Sequence, residues 1–373
     1  MSAACLASIG QLRQLTSLHL YGTWADVEEP LQQLLLQPLL LRRLQLAVHA
    51  VPHCRMPAVD MSAATQLEHF ITNQLLPSGV VFPVQLRNLE LAACNDSSRL
   101  LAAVTPLQQL TSLSFGVRFQ ECQALLQLGQ LPALQELSLW YQGEGPAAPA
   151  AAATAAAWPQ LPQLRGLRID FGVPHGRQQL AAILAGVAGA TRLENLTLIE
   201  LAVCDDDDAA AVAAADDDGV EVDIDRLPAA VCGSLAGLKC LQSLHLQFCM
   251  LPLEDALALT ALTNLTELHL DHAGAAVTDV VATALACSLR QLRSLSLTGC
   301  ELGDMVCLAA VGQLRQLTSL QLLGSFEFSE RGLRLLTGLS RLQQLGVDSD
   351  ADITAEAWAS FWAAVKQQPQ PQQ

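Results

Sequence analysis

Leucines recur along the chain in the spacing L-x-x-L-x-x-L-x-L, with mostly polar residues between them. The stretch from Gly10 to Leu20, GQLRQLTSLHL, is almost repeated from Gly312 to Leu322, GQLRQLTSLQL. Twelve clear copies lie between residues 9 and 350, and a thirteenth is degraded because Phe70 and Thr72 take two leucine positions. Successive copies in the last third of the chain are 24, 27, 25 and 25 residues apart. A period of this length predicts a stacked repeat architecture.

Each copy predicts a strand followed by a return segment that is helical in several repeats. In L-x-L the two leucines point to one side of an extended strand, because side chains alternate along it. After Thr278, a predicted N-cap, Val281, Leu285 and Leu289 follow at helical spacing, and Ser329 opens a similar segment. One strand cannot bury its apolar side alone, so stacked copies are expected to form a parallel sheet backed by leucines.

The spacing and the period resemble those of the leucine-rich repeat family, over residues 9 to 350. The resemblance implies an α/β solenoid, a curved horseshoe with parallel strands on its concave face and helices on much of its convex face. It also implies an inward-facing position, three residues after the second leucine, where Asn or Cys bonds the turn backbone. Cys94, Cys249 and Cys300 occupy that position here.

The predicted repeat domain, of about 12–13 repeats, covers residues 1–350 and has two insertions. Residues 146–157 are rich in alanine and proline, and residues 205–225 are an acidic low-complexity segment with ten acidic and no basic residues. Self-repulsion is expected to keep the acidic insertion open. Three alternatives remain: an arm for a basic partner, a loose calcium site, or a degenerate strand at 220–224 within it.

The two ends of the repeat array are predicted to differ. Trp358, Phe361, Trp362 and Val365 lie at helical spacing and predict a capping helix over residues 351–366, with a partner-binding helix as the alternative. Residues 367–373 are predicted to be a disordered Gln/Pro tail. The first leucine layer has only residues 1–8 before it, and we expect that layer to be thinly covered. Three alternatives remain: those residues suffice, an upstream domain is missing, or a partner covers the layer.

Composition and charge exclude several classes of function. Hydrophobic residues make up 51% of the chain but aromatics only 4%, so leucine and alanine must form the core. No run of 18 apolar residues occurs, and no membrane interaction is predicted. With 20 basic residues and a net charge of −16, nucleic-acid binding is disfavoured. Eleven cysteines, an odd number, without a secretory signal predict reduced thiols and a cytoplasmic location.

Motifs of catalysis and of cofactor binding are missing from the sequence. There is no phosphate-binding loop, no H-E-x-x-H and no G-x-S-x-G. His49, His53 and Cys54 form the only local metal-like cluster, with too few ligands for a zinc site. We therefore predict no enzyme activity, no cofactor and no metal site.

The predicted function is a non-catalytic scaffold that binds another protein on the concave face, with Tyr21 and Trp140 as candidate aromatic anchors. Two alternatives remain: a substrate-recognition adaptor for ubiquitin ligation, as in F-box proteins with such repeats, and a structural subunit of a cytoskeletal or axonemal assembly in a cilium. The predicted partner-binding residues lie between or just beyond the paired leucines: His19, Tyr21, Glu90, Trp140, Arg168, Asp170, His245, Gln247, His269, Asp271, Gln321 and Asp348.

Overall fold

The computed structural model divides into two compact units, Met1–Ile169 (unit 1) and Asp170–Gln373 (unit 2). Both units repeat a strand and a helical return segment, as the sequence pattern predicts. The structure describes residues 3–21, 28–36, 40–47, 60–75, 80–93, 97–142, 158–172, 175–200, 203–204, 231–249, 251, 253–273, 277–300, 302, 306–324, 328–348 and 353–367.

Unit 1 contains parallel strands that neighbour one another in chain order. They are β1 (Ser17–Tyr21), β2 (Arg43–Ala47), β3 (His69–Leu75), β4 (Asn88–Ala93), β5 (Ser112–Arg118), β6 (Glu136–Gln142) and β7 (Gly166–Asp170), whose last residue is the first of unit 2. The return segments include α1 (Ala3–Ile9), α2 (Glu28–Leu35), α3 (Ser97–Val104) and the 3-10 helices η1 (Phe119–Gln130) and η2 (Trp158–Gln160).

Unit 2 continues the same alternation. Its main strands, again parallel and in chain order, are β9 (Asn195–Ile199), β11 (Ser243–Gln247), β12 (Glu267–Asp271), β13 (Ser294–Ser296), β14 (Ser319–Gln321) and β15 (Gln344–Gly346). Two short strands, β8 (His175–Gly176) and β10 (Val203–Cys204), pair separately. Its helices are α4 (Arg177–Ala188), α5 (Val231–Leu235), α6 (Leu253–Ala258), η3 (Leu259–Ala261), α7 (Asp279–Ser288), α8 (Val306–Val311), α9 (Glu330–Leu335), η4 (Leu336–Gly338) and α10 (Ala355–Gln367).

The strands pair so that equivalent leucines of successive repeats lie side by side. In unit 2, Leu244 pairs with Leu268 and Leu268 with Leu295, and all three are buried. In unit 1, Phe70 and Thr72 of the degraded copy take their leucine positions on β3 and are 0% and 1% exposed. The thirteen sequence copies therefore correspond to the thirteen main strands of the described residues, and the predicted α/β repeat fold is confirmed.

Backbone hydrogen bonds link the repeats at the start of each strand. The carbonyl oxygen of Thr16 accepts the N–H groups of both Arg42 and Arg43, and that of Gln242 accepts those of Thr266 and Glu267. The pattern recurs at most junctions between described repeats. Since buried backbone polar groups must be paired, this bifurcated bond fixes the register of each strand against the next.

Two cysteine thiols bond the backbone of the preceding repeat, as the family resemblance implies. The Cys300 thiol lies 3.0 Å from the carbonyl oxygen of Leu270, and the Cys249 thiol lies 3.5 Å from that of Leu198. Both side chains are buried. Cys94, the third predicted member of this position, lies outside the described residues.

Burial also determines which thiols react. Cys232 and Cys300 are buried, and desolvation raises the pKa of Cys232 well above its ordinary value and that of Cys300 to about 12. Cys240 and Cys287 carry exposed free thiols. Because the thiolate is the reacting form, buried thiols of raised pKa react slowly.

We therefore expect Cys240→Ser and Cys287→Ser each to remove about one rapidly reacting thiol from the native protein in a disulfide-exchange titration at about pH 8. The matched variants Cys232→Ser and Cys300→Ser should leave the rapid count unchanged. Loss of a rapid thiol in either buried-site variant would mean that the helical layer opens readily to solvent.

Helix starts agree with the sequence in position but not in every contact. Thr278 is the N-cap of α7, as predicted, and has an extended backbone, although its side chain makes no capping hydrogen bond. At α10 the Thr354 hydroxyl accepts the N–H of Ala357 at 3.2 Å and donates to Glu330 Oε1 at 2.7 Å. The second bond ties the last helix to α9 of the preceding repeat.

The terminal helices both bury apolar side chains. In α10, which packs against α9 and η4, Phe361 and Val365 are buried while Trp358 and Trp362 are half-buried. At the other end α1 packs against α2 and buries Leu6, which is 1% exposed. The first layer therefore has more cover than the sequence led us to expect.

Several predicted features lie outside the described residues. They are the insertions at 146–157 and 205–225, the degenerate strand at 220–224, and the cluster of His49, His53 and Cys54. The predicted tail at 367–373 also lies outside them, except for Gln367, which is the last residue of α10 and not part of a disordered tail. Among the residues that are described, no helix combines the length and the apolar character needed to cross a bilayer.

Candidate functional site

The twelve predicted partner-binding residues lie on the side of their strands opposite the buried leucines, which we call the open face. None of the twelve is buried. His19 and Tyr21 on β1 are exposed, and so are Glu90 on β4 and Arg168 on β7. Trp140 on β6 is half-buried. These strands are not all neighbours, and the structure does not gather the five into one cluster. Asp170, at the end of β7, is half-exposed.

The open face of unit 2 carries a connected polar cluster on β11, β12 and β13. His245 Nε2 lies 2.9 Å from Asp271 Oδ2, and the Ser296 hydroxyl donates to Asp271 Oδ1. The His245 and His269 rings lie side by side, with centroids 5.2 Å apart. The His269 Nε2 atom is 3.2 Å from the Ser294 hydroxyl. Three of these residues were among the predicted twelve; Ser294 and Ser296 were not.

Strand register explains why these side chains meet. His245, His269 and Ser296 stand between the paired leucines of successive repeats, and they lie side by side in the sheet. Asp271 comes two residues after His269, at the end of β12, and its carboxylate reaches both His245 and Ser296. Ser296 is only 4% exposed although it lies on the open face, which shows that its neighbours cover it.

The cluster fixes the charge state of its carboxylate. Burial opposes ionisation of Asp271, but hydrogen bonds from His245 and Ser296 and the nearby histidines outweigh it and lower the pKa of Asp271. For His269, burial lowers the pKa and the neighbouring His245 adds to that shift. At neutral pH the site therefore combines an ionised carboxylate with a His269 ring that favours its neutral form.

An aromatic stack lies next to this cluster. The Phe248 and His272 rings are nearly parallel, 11° apart, with centroids separated by 5.0 Å. Both residues are exposed, and both have positive φ angles, each 53°. Each follows the second leucine of its repeat by two positions, where Gly299 and Gly324 also have positive φ angles. We call His245, Phe248, His269, Asp271, His272 and Ser296 the histidine face.

A large residue in the left-handed region of φ is strained, and at Phe248 and His272 this conformation accompanies a backbone hydrogen bond to the next repeat. The N–H of Phe248 donates to the carbonyl of Asp271, and the N–H of His272 donates to that of Thr298. The same backbone bond recurs at Gly299, so this turn is part of the repeat. A φ angle that costs a Phe or His about 1–3 kcal/mol is thus imposed by the ladder, and it holds the two rings outward.

Gly299 is predicted to be required at its position because the His272 ring lies over it. A Cβ atom there would collide with His272 Nδ1, and its φ angle is +64°. Gly324 has the same φ angle but only ordinary contacts 3.8 Å away. We expect Gly324→Ala to cost about 1–2 kcal/mol through φ alone, and Gly299→Ala to cost more because the stack must also move. Equal losses in urea unfolding would contradict the close approach of His272.

The remaining predicted residues have separate surroundings. Gln247 pairs in register with Asp271, and Gln321 lies beside Gly346, whose missing side chain leaves room for the glutamine. Asp348 accepts the N–H of Gly324 at 3.0 and 2.9 Å through its two carboxylate oxygens. That side chain takes the place that a backbone carbonyl has in the earlier repeats.

The chemistry of the cluster differs from that of a hydrolase. In a serine hydrolase the histidine lies between the serine and the carboxylate, so that it can take the serine proton. Here Asp271 lies between Ser296 and His245, and the serine donates directly to the carboxylate. Among the residues that the structure describes, His245, His269 and Asp271 form a group that could hold a metal ion, since one ligand atom from each lies within 4.8 Å of the others.

The sequence copies, the strand register and the cysteine position agree on one architecture. Equivalent leucines pair from strand to strand, and Cys249 and Cys300 bond the preceding repeat as the family pattern requires. The chain has the leucine-rich repeat fold. No family model and no curated protein sequence matches it.

Three solved structures are similar to this chain. The yeast Rad7–Elc1 complex includes a chain 17% identical to it (75% of this chain, 73% of that chain, TM-score 0.45). A leucine-rich repeat protein of Leptospira interrogans is 15% identical (91% of each chain, TM-score 0.34). Internalin C2 of Listeria monocytogenes is 18% identical (66% of this chain, 84% of that chain, TM-score 0.38). At these low scores the assignment rests on the chain's own repeats and their register.

Proposed function

We propose that the chain is a non-catalytic scaffold that binds another protein through the histidine face of unit 2. The observation that carries this proposal is the exposed Phe248–His272 stack beside a hydrogen-bonded polar cluster. Phe248 is 47% exposed, and its backbone has a positive φ angle that is strained for a phenylalanine. Aromatic side chains that are held rigidly and keep a large exposed area are the usual centres of protein interfaces.

The polar cluster supports the proposal in a second way. The side chains of His245 and Asp271 are 30% and 20% exposed, so a partner can reach them, and their mutual contact already fixes their positions. Groups that are ordered before binding lose little conformational entropy when a partner arrives. The ionised carboxylate favours a partner that offers a hydrogen-bond donor or a positive charge.

Phe248→Gly is the variant that tests the proposal most cleanly. Glycine adopts a φ angle of +53° without strain, so this change removes the aromatic ring without straining the backbone. Val280→Ala is the matched control, because Val280 is a 65% exposed apolar residue on α7. Quantitative affinity capture with mass spectrometry compares the proteins recovered by the wild type and by both variants.

We expect at least one protein to be captured by the wild type and by Val280→Ala, and to be reduced at least tenfold with Phe248→Gly. The same recovery with Phe248→Gly as with the wild type would contradict binding at the histidine face. The adaptor and the cytoskeletal or axonemal interpretations remain predictions from the sequence. The recovered proteins distinguish them, since ubiquitin-ligase subunits support the first and axonemal or other cytoskeletal proteins the second.

A further inference from the structure

The two histidines and the aspartate of the histidine face have the composition of a transition-metal site. Imidazole nitrogens and a carboxylate oxygen are ordinary ligands of Zn²⁺ and of its first-row neighbours. The three residues come from two adjacent strands, β11 and β12, whose register is fixed by backbone pairing. One ligand atom from each lies within 4.8 Å of the other two.

We infer that His245, His269 and Asp271 bind a divalent first-row transition-metal ion, with a fourth position open to solvent or to a partner. The inference does not rest on the proposed function, because metal binding by these three side chains needs no partner protein. It concerns residues already ordered by their neighbours, and it requires only local movement of their side chains.

The required movement is small. Zinc–ligand distances of about 2.0–2.2 Å in a tetrahedral site place two ligand atoms about 3.4 Å apart. His245 Nε2 and Asp271 Oδ2 are 2.9 Å apart, so an ion between them needs them to separate by only about half an ångström. The other separations, which are at most 4.8 Å, must shorten by up to about 1.4 Å through side-chain rotation.

Hydroxyl groups around the cluster provide the outer contacts that metal ligands usually have. The Ser296 hydroxyl donates to Asp271 Oδ1, which leaves Oδ2 directed at His245. Ser296 also contacts the Thr298 hydroxyl at 3.0 Å, and Ser294 holds the His269 ring at 3.2 Å. Such outer-shell hydrogen bonds orient the ligands of known sites and are important for metal affinity.

Access and selectivity follow from the same geometry. The half-exposed side chains of His245 and Asp271 leave a path for an ion and for a water molecule in the fourth position. Two imidazole nitrogens suit Zn²⁺, whereas Ca²⁺ prefers six to eight oxygen ligands. The cluster should therefore discriminate strongly between these two ions.

The test is calorimetric titration of the full-length chain, freed of metal with a chelator, with ZnCl₂ and separately with CaCl₂. We expect the wild type to bind Zn²⁺ at one site that His245→Gln, His269→Gln and Asp271→Asn each weaken at least tenfold. His19→Gln is the matched control, since His19 is an exposed histidine on the open face of unit 1. It should leave Zn²⁺ binding unchanged, and CaCl₂ should give no heat that depends on the three residues.

Three separate variants keep the result decisive if one of them fails to fold, which circular dichroism would reveal. Zn²⁺ should also raise the thermal midpoint of the wild type and of His19→Gln, and not that of the folded cluster variants. Equal Zn²⁺ affinity and stoichiometry in the wild type and in the folded cluster variants would overturn the inference. The cluster would then be a hydrogen-bonded His–Asp pair that only orders the open face.

Failure of the metal inference is distinguishable from failure of the proposed function. Zn²⁺ titration uses no partner, and the capture experiment with Phe248→Gly leaves all three ligands in place. If the three cluster variants bind Zn²⁺ as the wild type does while Phe248→Gly loses the captured protein, only the metal inference is wrong. If the cluster variants lose Zn²⁺ binding while Phe248→Gly still captures the protein, only the proposed function is wrong.

Discussion

Replacing Leu320 with alanine is expected to lower the free energy of unfolding by about 2–5 kcal/mol, and to do so more than the equivalent change at Leu18. Both leucines occupy the same slot in nearly identical repeats. Leu320 is 0% exposed and lies in register between Leu295 and Leu345. Leu18 is 8% exposed and pairs in register with Leu44.

The difference follows from how a repeat protein is stabilised. Each layer gains free energy from its neighbours, so an interior layer has two interfaces to lose and a terminal layer has one. The cavity left at Leu320 is enclosed, whereas the layer at Leu18 can relax around the smaller side chain. Urea unfolding of the two single variants compares them directly. An equal or larger loss at Leu18 would mean that α1 closes the first layer as firmly as two repeats close an interior one.

Gly312→Ala is the second change for which a large effect is expected. Gly312 follows α8 and begins the stretch from Gly312 to Leu322 that nearly repeats the stretch from Gly10 to Leu20. A Cβ atom there would collide with the backbone carbonyl oxygen of Leu335, in α9 of the next repeat, and would lie 3.2 Å from that of Leu308. Backbone atoms cannot rotate away, so two packed return segments must separate. Overpacking of this kind costs about 1–3 kcal/mol, and more where the backbone is fixed on both sides.

The control for Gly312 is Gly237→Ala. Gly237 has nothing within 4 Å of the position of a Cβ atom and does not have a positive φ angle, so alanine there should be neutral or stabilising by up to about 1 kcal/mol. Gly338→Ala is a second test of the same interface, because its Cβ atom would lie 2.5 Å from the carbonyl oxygen of Gly312. If Gly312→Ala unfolds at the same urea concentration as Gly237→Ala, the return segments are not in backbone contact at this point.

The sequence predicted the repeat architecture because the leucine spacing within each copy marks a strand, and the regular recurrence of the copies marks which strands pair. Leucine pairs at a constant offset locate the strands, and even the degraded copy with Phe70 and Thr72 forms its strand in register. The same offset placed His245, His269 and Asp271 on the open face. It could not reveal that Asp271 contacts His245, since that contact runs diagonally between repeats and depends on side-chain rotation.

The residues that the sequence reasoning missed had weak signals, with one exception. Serine is common on protein surfaces, and nothing in the sequence distinguishes Ser296 from the exposed serines of other repeats. Phe248 and His272 have positive φ angles, which their residue types do not predict. Gly299 and Gly324, however, stand at the same offset from their leucines. That shared offset is the signal from which the positive φ angles of Phe248 and His272 could have been inferred.

Photo-crosslinking from the open face tests the central claim, that a protein partner binds at the histidine face. A benzophenone amino acid is introduced in place of Gln247, which is half-exposed on β11 next to Phe248. In a second protein the same amino acid replaces Val280, which is exposed on α7. We predict that irradiation joins the captured partner to position 247 and not to position 280, and that Phe248→Gly in the same chain abolishes the product. A partner crosslinked from position 280 and not from position 247 would contradict the claim.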